Sequence, residues 1–294
     1  MQATRPAAKT LRKQRDIILS TPLVSIVIPA KDEAGNLPAL LDEVDAALVG
    51  TDYEVLVVDD ASQDGSWAML TRRATEDPRL RPLHHDKSAG QSTSVWQAAR
   101  AARGTWLATL DGDGQNDPAD LPNLLERAQR GDVTLVAGHR TTRRDDWLKR
   151  LSSRVANKVR SALLKDDTPD TGCGLKVIHR EAFLALPYFN HMHRFLPALV
   201  LAQGGRCVSV PVNHRPRGAG ESHYGLNNRL WAGLLDILGV MWLRKRTRLP
   251  APLDTFEASP AAVSKLTPDS SSDQSSGADS AEAPTPTSAR EASR

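Results

Sequence analysis

The sequence has few of the features that mark secreted or membrane-spanning proteins. It contains 2 cysteines among 294 residues, and a disulfide framework needs several pairs. The N-terminus has no apolar core of the kind found in signal peptides. No apolar run reaches the roughly 20 residues that span a bilayer. We therefore expect a protein of the reducing cytosol without a transmembrane helix.

Three common ligand-binding motifs are also missing. Pro-Ala-Lys-Asp-Glu at 29–33 follows the first predicted strand, where a dinucleotide-binding Rossmann fold would have its G-x-G-x-x-G fingerprint. No P-loop is present. A calcium loop of EF-hand type that began at Asp111 would need glycine at its sixth position and glutamate at its twelfth. The chain has Asn116 and Pro122 there, so the EF-hand is excluded as well.

Composition and charge divide the chain into segments. Residues 1–22 form a basic arm, 23–226 the main folded domain, and 227–248 an amphipathic helix. Residues 249–294 are rich in Ser, Ala, Pro and acidic residues, and bury too little apolar surface to offset the entropy of ordering. We therefore predict a disordered tail. The net charge of +3 is modest, and we expect no nucleic-acid partner.

Apolar strands and amphipathic helices alternate in the first half of the chain. Runs rich in apolar residues at 23–29, 53–58, 80–84 and 106–110 indicate buried strands, and the segments between them carry apolar residues at helical spacing. We expect Ser88 to cap the helix that carries Val95 through Ala102. Further helices are predicted at 118–130, 147–164 and 194–203, and strands at 133–137 and 206–212. The alternation predicts a doubly wound α/β sheet with helices on both faces.

Acidic residues follow three of the predicted strands. They are Asp32 and Glu33, Asp59 and Asp60, and Asp111 and Asp113. Ligands of open α/β sheets bind outside the carboxyl ends of the strands, so we expect these carboxylates to converge in one cleft. Mg²⁺ or Mn²⁺, held by one or two oxygen ligands and a substrate diphosphate, suits such a cleft.

These motifs resemble the GT-A glycosyltransferases of family 2, and among them the dolichyl-phosphate mannose synthases and their bacterial polyprenyl-phosphate relatives. The resemblance covers roughly residues 23–246. It rests on the motifs at 25–33, 57–62 and 111–115, and on the more discriminating ones at 138–140, 153–157, 170–176 and 217–222. It implies that 23–226 is a GT-A catalytic domain with a Rossmann-like mixed sheet.

The resemblance implies a nucleotide-diphospho-sugar donor, either a GDP-sugar or a UDP-sugar, together with Mg²⁺ or Mn²⁺. Asp111 and Gly112 would contact the nucleotide, while Asp113 and Gln115 would ligate the metal. The residues expected to cradle the base and ribose are Pro29, Lys31, Glu33, Val58 and Asp60.

The same resemblance implies basic residues that bind the phosphates of donor and acceptor. They are Arg140, Ser153, Lys176 and Arg217, assisted by Lys149 or Arg150, and guanidinium forks suit phosphate oxygens. The residues expected to carry catalysis are Asp111, Asp113, Arg140 and Arg217.

The chain departs from the family pattern at a few positions. Thr141, Gly174, Leu175, Lys176 and His223 stand where relatives often have other residues. These departures leave the sugar and the exact lipid open. The Q-x-x-R-W motif of processive synthases is absent, which argues against polymerisation.

The implied acceptor is a polyprenyl phosphate, whose second ionisation lies near pKa 6. Such a phosphate is largely a dianion at neutral pH and needs no general base, so charge clamps and alignment would suffice for an inverting attack. The alternative is transfer to a sugar hydroxyl in cell-envelope polysaccharide synthesis, with Asp170 as base. A non-catalytic nucleotide-sugar-binding protein is a third reading, against which the retained metal motif argues.

The last predicted helix, Arg229 to Arg246, has flanking basic residues and two tryptophans, which are typical of a helix in a membrane interface. A helix packed on the domain or in a dimer is the alternative. We expect a cytoplasmic protein, peripherally associated with the inner face of the membrane, and an integral-membrane partner is a further expectation.

Overall fold

The computed structural model describes residues 21–140, 161, 163–164, 166–216 and 226–247. Most of the predicted basic arm, the whole predicted tail and most of the helix predicted at 147–164 lie outside the described residues. Two site predictions, Ser153 and Arg217, also lie outside them, as do Lys149, Arg150, Thr141 and His223.

The first half of the domain alternates strictly between strands and helices, as the sequence predicts. The elements are β1 (Val24–Ala30), α1 (Leu37–Ala47), β2 (Tyr53–Asp59), α2 (Ser66–Glu76), β3 (Leu80–His84), α3 (Gln91–Ala101) and β4 (Trp106–Thr109).

The second half is less regular. Its elements are a 3-10 turn (Pro118–Asp120), α4 (Leu121–Gln129), β5 (Leu135–Arg140), β6 (Lys176–His179), α5 (Arg180–Leu184), a 3-10 turn (Met192–Arg194), α6 (Leu196–Ala202), β7 (Cys207–Val212) and α7 (Leu226–Arg246).

The strands form a 7-stranded sheet in the order β3-β2-β1-β4-β6-β5-β7. Strand β6 is antiparallel to both of its neighbours, β4 and β5, whereas the other pairings are parallel. The sheet is therefore mixed, which confirms the predicted fold class. Because β6 inserts beside β4, it brings a later part of the chain next to the acidic loop that follows β4.

Helices cover both faces of the sheet. Side chains alternate along a strand, so Ile26 and Ile28 of β1 point into one core cluster and Val27 into the other. Residues of α1, α2 and α4 belong to the first cluster, and those of α3, α5 and α6 to the second. At about 25 cal/mol per Å² of buried apolar surface, these two layers supply the main stabilisation of the site's scaffold.

Two local predictions are wrong. Helix α3 begins at Gln91 after Gly90, and the Ser88 hydroxyl donates to Asp60 instead of capping the helix. Strand β5 begins and ends later than predicted, because its pairing with β7 continues as far as Arg140. The Gly-His-Arg motif at 138–140 therefore lies within a strand.

Among the described residues, no helix is both long and apolar enough to cross a bilayer.

Candidate active site

The acidic loop after β4 lies at the point where the order of the strands reverses. Strand β1 pairs with β2 on one side and with β4 on the other, so the crevice between the ends of β1 and β4 is the usual ligand site of such a sheet. Gly112 packs against β1, and a β-carbon there would lie 3.1 Å from the carbonyl oxygen of Pro29. The loop is thus held tightly against the end of the first strand.

Hydrogen bonds within the loop hold its shape. The Asp111 amide donates to Asn116 Oδ1 at 3.0 Å, and the Gln115 amide donates to Asp113 Oδ1 at 3.1 Å. Asp117 caps the following 3-10 turn by accepting from the Ala119 amide at 3.0 Å, as its Asp-Pro sequence predicts. Asp113 and Gln115 therefore belong to one compact turn.

Asp111 is held from two sides. Gln91, the first residue of α3, donates its side-chain amide to Asp111 Oδ1 at 2.8 Å. On the other side, Gly174 lies so close that a β-carbon on it would collide with the carboxylate. The orientation of this carboxylate is set by both contacts.

Burial and the nearby Asp113 raise the pKa of Asp111 to about 6, against the opposing effect of Lys176 and Arg140. Lys176 begins β6 and is itself buried, with 4% of its surface exposed. Its ammonium donates to the Cys173 carbonyl, and burial lowers its pKa. The charge of Lys176 acts on Asp111 from this buried position, and its contact with phosphate stays a prediction.

Arg140 is paired with Asp170. Its Nε and Nη2 donate to the two carboxylate oxygens at 2.7 and 2.8 Å, and both side chains are largely buried. Hydrogen bonding to Asp170 raises the pKa of Arg140, so the guanidinium is always charged. Arg140 was predicted to bind phosphate, and Asp170 was the base of the alternative reaction. In this structure the two side chains bind each other.

The loops after β1 and β2 interlock. The Asp32 amide donates to Ser62 Oγ at 2.9 Å and the Gln63 amide donates to Asp32 Oδ1 at 2.7 Å. The Glu33 amide donates to Ser66 Oγ at 3.1 Å. Asp32 adopts φ 57, a left-handed conformation that aspartate tolerates. The two loops that follow β1 and β2, which carry several of the residues predicted to bind the base and ribose, are therefore linked to each other beside the acidic loop.

The predicted nucleotide contacts Pro29, Lys31, Glu33 and Val58 differ in exposure. Lys31 is exposed, and Pro29 and Glu33 are partly exposed, so each of these three has some surface open to a ligand. Val58 is fully buried in the core, so its side chain is closed to a ligand, and its contact with the base or ribose stays a prediction that only its backbone could fulfil. The cause is that β2 is buried on both of its faces.

Asp60 holds the loop that leads into α3. It accepts hydrogen bonds from Ser88 Oγ and from the amides of Ala89 and Gly90, at 2.7 to 2.9 Å, and pairs with His85 Nδ1 at 2.6 Å. Burial alone would raise the pKa of Asp60, but these hydrogen bonds hold it below its ordinary value. The loop it fixes places Gln91 on Asp111, so Asp60 supports the site through its own protein contacts.

The segment after β7 docks on the acidic loop. The Arg215 amide donates to the Gln115 carbonyl at 3.0 Å, and its guanidinium pairs with Asp117 at 2.6 Å and Glu43 at 2.7 Å. The Asn213 amide donates to Asp120 Oδ2 at 2.7 Å. Arg215 thus anchors the chain two residues before Arg217.

Some of these positioning residues were missed by sequence reasoning. Asn116 and Asn213 lie in loops and Gln91 begins a helix, places where polar side chains are common. The glycine before Gln91, at φ 85, was a signal for an abrupt helix start. Nothing in the sequence indicated that Gln91 would reach the acidic loop.

The donor set fits a hard divalent cation with few protein ligands. Asp113 and Gln115 supply carboxylate and amide oxygens, which Mg²⁺ and Mn²⁺ prefer. In the described part of the chain, no set of three or more His, Cys, Asp or Glu side chains is arranged to hold a metal. The site thus suits an ion that takes its remaining ligands from a diphosphate and water.

The mixed sheet with an acidic loop at its switch point is the GT-A arrangement that the motifs predicted. A solved mannosyltransferase from Pyrobaculum calidifontis, in complex with GDP-Man and Mn²⁺, superposes with a TM-score of 0.58. The alignment covers 83% of this chain and 73% of that one at 19% identity, which shows a shared fold. A family model described as Glycosyl transferase family 2 matches residues 25–186. The chain belongs to this family.

Two relatives are similar over much of the chain. An undecaprenyl-phosphate 4-deoxy-4-formamido-L-arabinose transferase from Aeromonas hydrophila subsp. hydrophila is 34% identical over 207 residues, 69% of this chain and 63% of the relative. The match therefore spans less than two thirds of that protein. A dodecaprenyl-phosphate galacturonate synthase from Rhizobium johnstonii is 30% identical over 256 residues, 85% of this chain and 74% of the relative.

Proposed function

We propose that the protein transfers a sugar from a nucleotide-diphospho-sugar to a polyprenyl phosphate with inversion at the anomeric carbon. The observation that carries this is the turn of Asp113 and Gln115 at the sheet's switch point, with the charges of Lys176 and Arg140 beside Asp111. The names of both relatives, which specify undecaprenyl and dodecaprenyl phosphate, support this class of acceptor.

The donor nucleotide would lie across the ends of β1, β2 and β4. Lys31 and Glu33 border the interlocked loops at that edge, and Asp111 and Gly112 close it from the β4 side. The acceptor phosphate would approach from the side of Arg140 and Arg217. We leave the donor as a GDP-sugar or a UDP-sugar, since the cleft residues favour neither.

Asp113 and Gln115 would hold Mg²⁺ or Mn²⁺ against the donor diphosphate, where the ion would neutralise the charge that develops on the leaving group. The chain's own residues do the rest of the positioning. Gln91 and Gly174 orient Asp111, and the buried Lys176 supplies positive charge behind it. Arg215 secures the segment that leads to Arg217.

A phosphate acceptor removes the need for a general base, because its dianion is already nucleophilic at neutral pH. The state of Asp170 favours this acceptor over a sugar hydroxyl. Both of its oxygens accept from Arg140, and a carboxylate held by a guanidinium is a poor proton acceptor. Asp170 is therefore a clamp on Arg140 in this proposal.

The protein would work at the inner face of the membrane as a peripheral protein. The lipid acceptor would be presented from the bilayer, and α7 carries exposed apolar side chains and a basic end. We further propose that an integral-membrane partner consumes the lipid-linked product.

A donor panel tests the proposal. Purified full-length protein is incubated with radiolabelled UDP- and GDP-sugars, undecaprenyl phosphate and Mn²⁺, and label is followed into the lipid phase. We expect one donor to label the lipid, and Asp113→Ala to abolish labelling while the exposed Asp86→Ala leaves it unchanged. We expect Arg217→Ala to reduce labelling by weakening the binding of a substrate phosphate. Full activity of Asp113→Ala with added Mn²⁺ would contradict the assignment.

The acceptor is tested separately. Asp170→Asn should keep at least about a tenth of the activity toward a prenyl phosphate, since loss of a general base usually costs 10²-fold or more. Transfer to free sugars but not to undecaprenyl phosphate, abolished by Asp170→Asn, would instead establish the hydroxyl-acceptor alternative.

A further inference from the structure

Among the described side chains of helix α7, Asp236 makes a hydrogen-bonded contact with His191 of the domain. Asp236 is the only acidic residue in the sequence of α7, and its Oδ2 lies 2.9 Å from His191 Nδ1. Val240 on the same helix is fully buried, and Ile237 and Met241 pack against the second core cluster. His191 has φ 67, an unusual left-handed backbone for a residue other than glycine. The residue that binds Asp236 of α7 therefore has an uncommon, left-handed backbone conformation.

The turn that follows His191 holds the start of α3. His193 Nδ1 lies 2.7 Å from Ser92 Oγ, and the His193 amide donates to the same oxygen at 3.4 Å. Burial, with Lys176 and Arg194 nearby, lowers the pKa of His193 to about 3, so this ring is neutral at neutral pH. Just before the turn, the Tyr188 hydroxyl lies 2.8 Å from Thr93 Oγ1.

The residue before Ser92 is Gln91, whose amide donates to Asp111 at 2.8 Å. The contacts therefore form an unbroken series from Asp236 through the turn at 191–194 to the first turn of α3 and on to Asp111. The first turn of α3 is the shared element. Through the hydrogen bonds of His193 with Ser92, this turn is in contact with the residue that follows Gln91.

In the part of α7 whose side chains the structure describes, from 235 onward, large apolar side chains are exposed. Leu235, Leu238 and Trp242 are 68%, 53% and 59% exposed, and their spacing of three and four residues places them on one stripe of the helix. The last turn carries Arg244, Lys245 and Arg246, and the Arg246 guanidinium lies 5.7 Å from the Trp242 ring centre.

An anionic lipid surface is the partner that fits this side of α7. Its one carboxylate is turned inward onto His191, so the apolar stripe and the basic end meet the surface without acidic neighbours from the helix. A basic end suits anionic headgroups, and tryptophan beside arginine suits the interface. Three side chains are few for a stable protein interface, which buries roughly 1,200 Å² or more, whereas a bilayer needs no matching surface.

We propose that the 191–194 turn links α7 to Asp111, so that docking of α7 on an anionic bilayer orders the start of α3 and the donor side of the site. The proposal rests on the proposed function, because a lipid acceptor is what brings α7 to a bilayer. Docking would immobilise α7, and the Asp236–His191 pair would pass that restraint to Ser92 and Gln91. The site would then be fully ordered only where the acceptor is present.

Hydrogen exchange of the full-length protein tests the link without donor or acceptor. Exchange of the amides at 89–94 is measured alone, with neutral phosphatidylcholine vesicles, and with vesicles that also contain phosphatidylglycerol. Vesicle binding is measured in parallel by cosedimentation. We expect the anionic vesicles to slow exchange at 89–94 by about fivefold or more, through loss of local opening, and the neutral vesicles to have little effect.

Two variants separate docking from transmission. Asp236→Ala keeps the apolar stripe but removes the hydrogen-bonded contact with His191, so it should bind anionic vesicles as the wild type does and show no slowing at 89–94. His191→Gly, at a φ of 67 that suits glycine, should behave in the same way, which guards against a folding defect in either variant. Leu238→Ser keeps the contact but weakens the stripe, so it should lose both vesicle binding and slowing.

The link is overturned if anionic vesicles leave exchange at 89–94 unchanged in the wild type, or if Asp236→Ala and His191→Gly are slowed as much as the wild type. A concentration-dependent dimer that Leu238→Ser abolishes would show that the stripe binds a second copy and would also overturn it. Since no sugar transfer is measured, a failure of the donor panel would count against the proposed function alone.

Discussion

Gly174 lies directly against the carboxylate of Asp111, although the two residues are far apart in sequence. A β-carbon on Gly174 would lie 2.7 Å from Asp111 Oδ1 and closer still to Oδ2, distances that packed side chains do not tolerate. The contact exists because β6 is inserted beside β4, and the Thr109 hydroxyl fastens it by donating to the Gly174 carbonyl at 2.6 Å. Glycine at this position is therefore a requirement of the site.

Gly174→Ala should displace the Asp111 carboxylate from Gln91 and lower kcat/KM by roughly tenfold or more, equivalent to about 1.4 kcal/mol of transition-state stabilisation. The measurement is initial-rate kinetics of lipid labelling. Gly239→Ala is the matched control, because a β-carbon there meets no atom within 4 Å. Equal kinetics for both variants would show that Asp111 tolerates the displacement.

Asp60→Asn should loosen the loop before α3. An asparagine side chain has one acceptor oxygen and one NH₂ group, so it cannot replace the acceptors used by Ser88, Ala89 and Gly90, and we expect a loss of about 2 kcal/mol of unfolding free energy. Donor affinity should fall with it because Gln91 is no longer held. Chemical denaturation and donor KM are the two measurements, with the exposed Asp86→Asn as control. A stable variant with unchanged KM would refute this supporting role.

Arg215→Ala should release the segment after β7 from Asp117 and Glu43. Arg215 is partly exposed, so little stability is at stake. We expect KM for the lipid acceptor to rise severalfold with a smaller change in donor KM. The reason is that Arg215 anchors the segment that continues to Arg217, two residues later. Arg130→Ala removes a surface pair with Glu126 and serves as control. A defect limited to donor KM would place the segment on the nucleotide side instead.

Glu54→Gln should make the protein less stable in a pH-dependent way. Glu54 is 1% exposed and pairs with Arg81 at 2.6 Å and Arg103 at 2.9 Å. Burial alone would raise the pKa of Glu54, but hydrogen bonds from Ser25, Arg103 and Arg81 outweigh it and lower the pKa. A lowered folded pKa means that the stabilisation is complete above the unfolded pKa and is lost as pH falls through the folded one.

We expect Glu54→Gln to cost about 2 kcal/mol at pH 7, and this difference from the wild type should shrink as pH falls below the ordinary glutamate range. Urea unfolding at pH 7 and at several acidic pH values measures it. Glu126→Gln, at a side chain that is 74% exposed, should show no such trend. A constant difference across the whole range would mean that the ionised form is not what stabilises the fold.

Much of the fold was predictable because local sequence patterns decide it. The β-branched runs of β1 and β2 are buried on both faces, so their positions were plain from composition alone. The acidic loop was predictable as well, because it directly follows the apolar run of β4. The end of β5 was misplaced because its length depends on pairing with β7, which is distant in sequence.

The parts of the site that escaped prediction depend on contacts between distant segments. The pairing of Arg140 with Asp170, the burial of Lys176 and the contact of Gln91 with Asp111 all follow from the antiparallel insertion of β6 and the packing of α3. Single residues carry no signal of such neighbours. Motif resemblance named Arg140 and Lys176 as phosphate-binding residues, whereas in this structure the side chains of both bind other parts of the protein.

The Arg140–Asp170 pair also has a use in protein engineering. The two residues are 30 positions apart, and their bidentate contact fastens together the two ends of the interval between β5 and β6. Two points of the chain that are latched in this way should stay close when the sequence between them is changed, provided that both latch residues are kept. The stretch between Arg140 and Asp170 is therefore a suitable place for exchanging sequence between members of the family, and urea unfolding of such a chimera would measure whether the latch suffices.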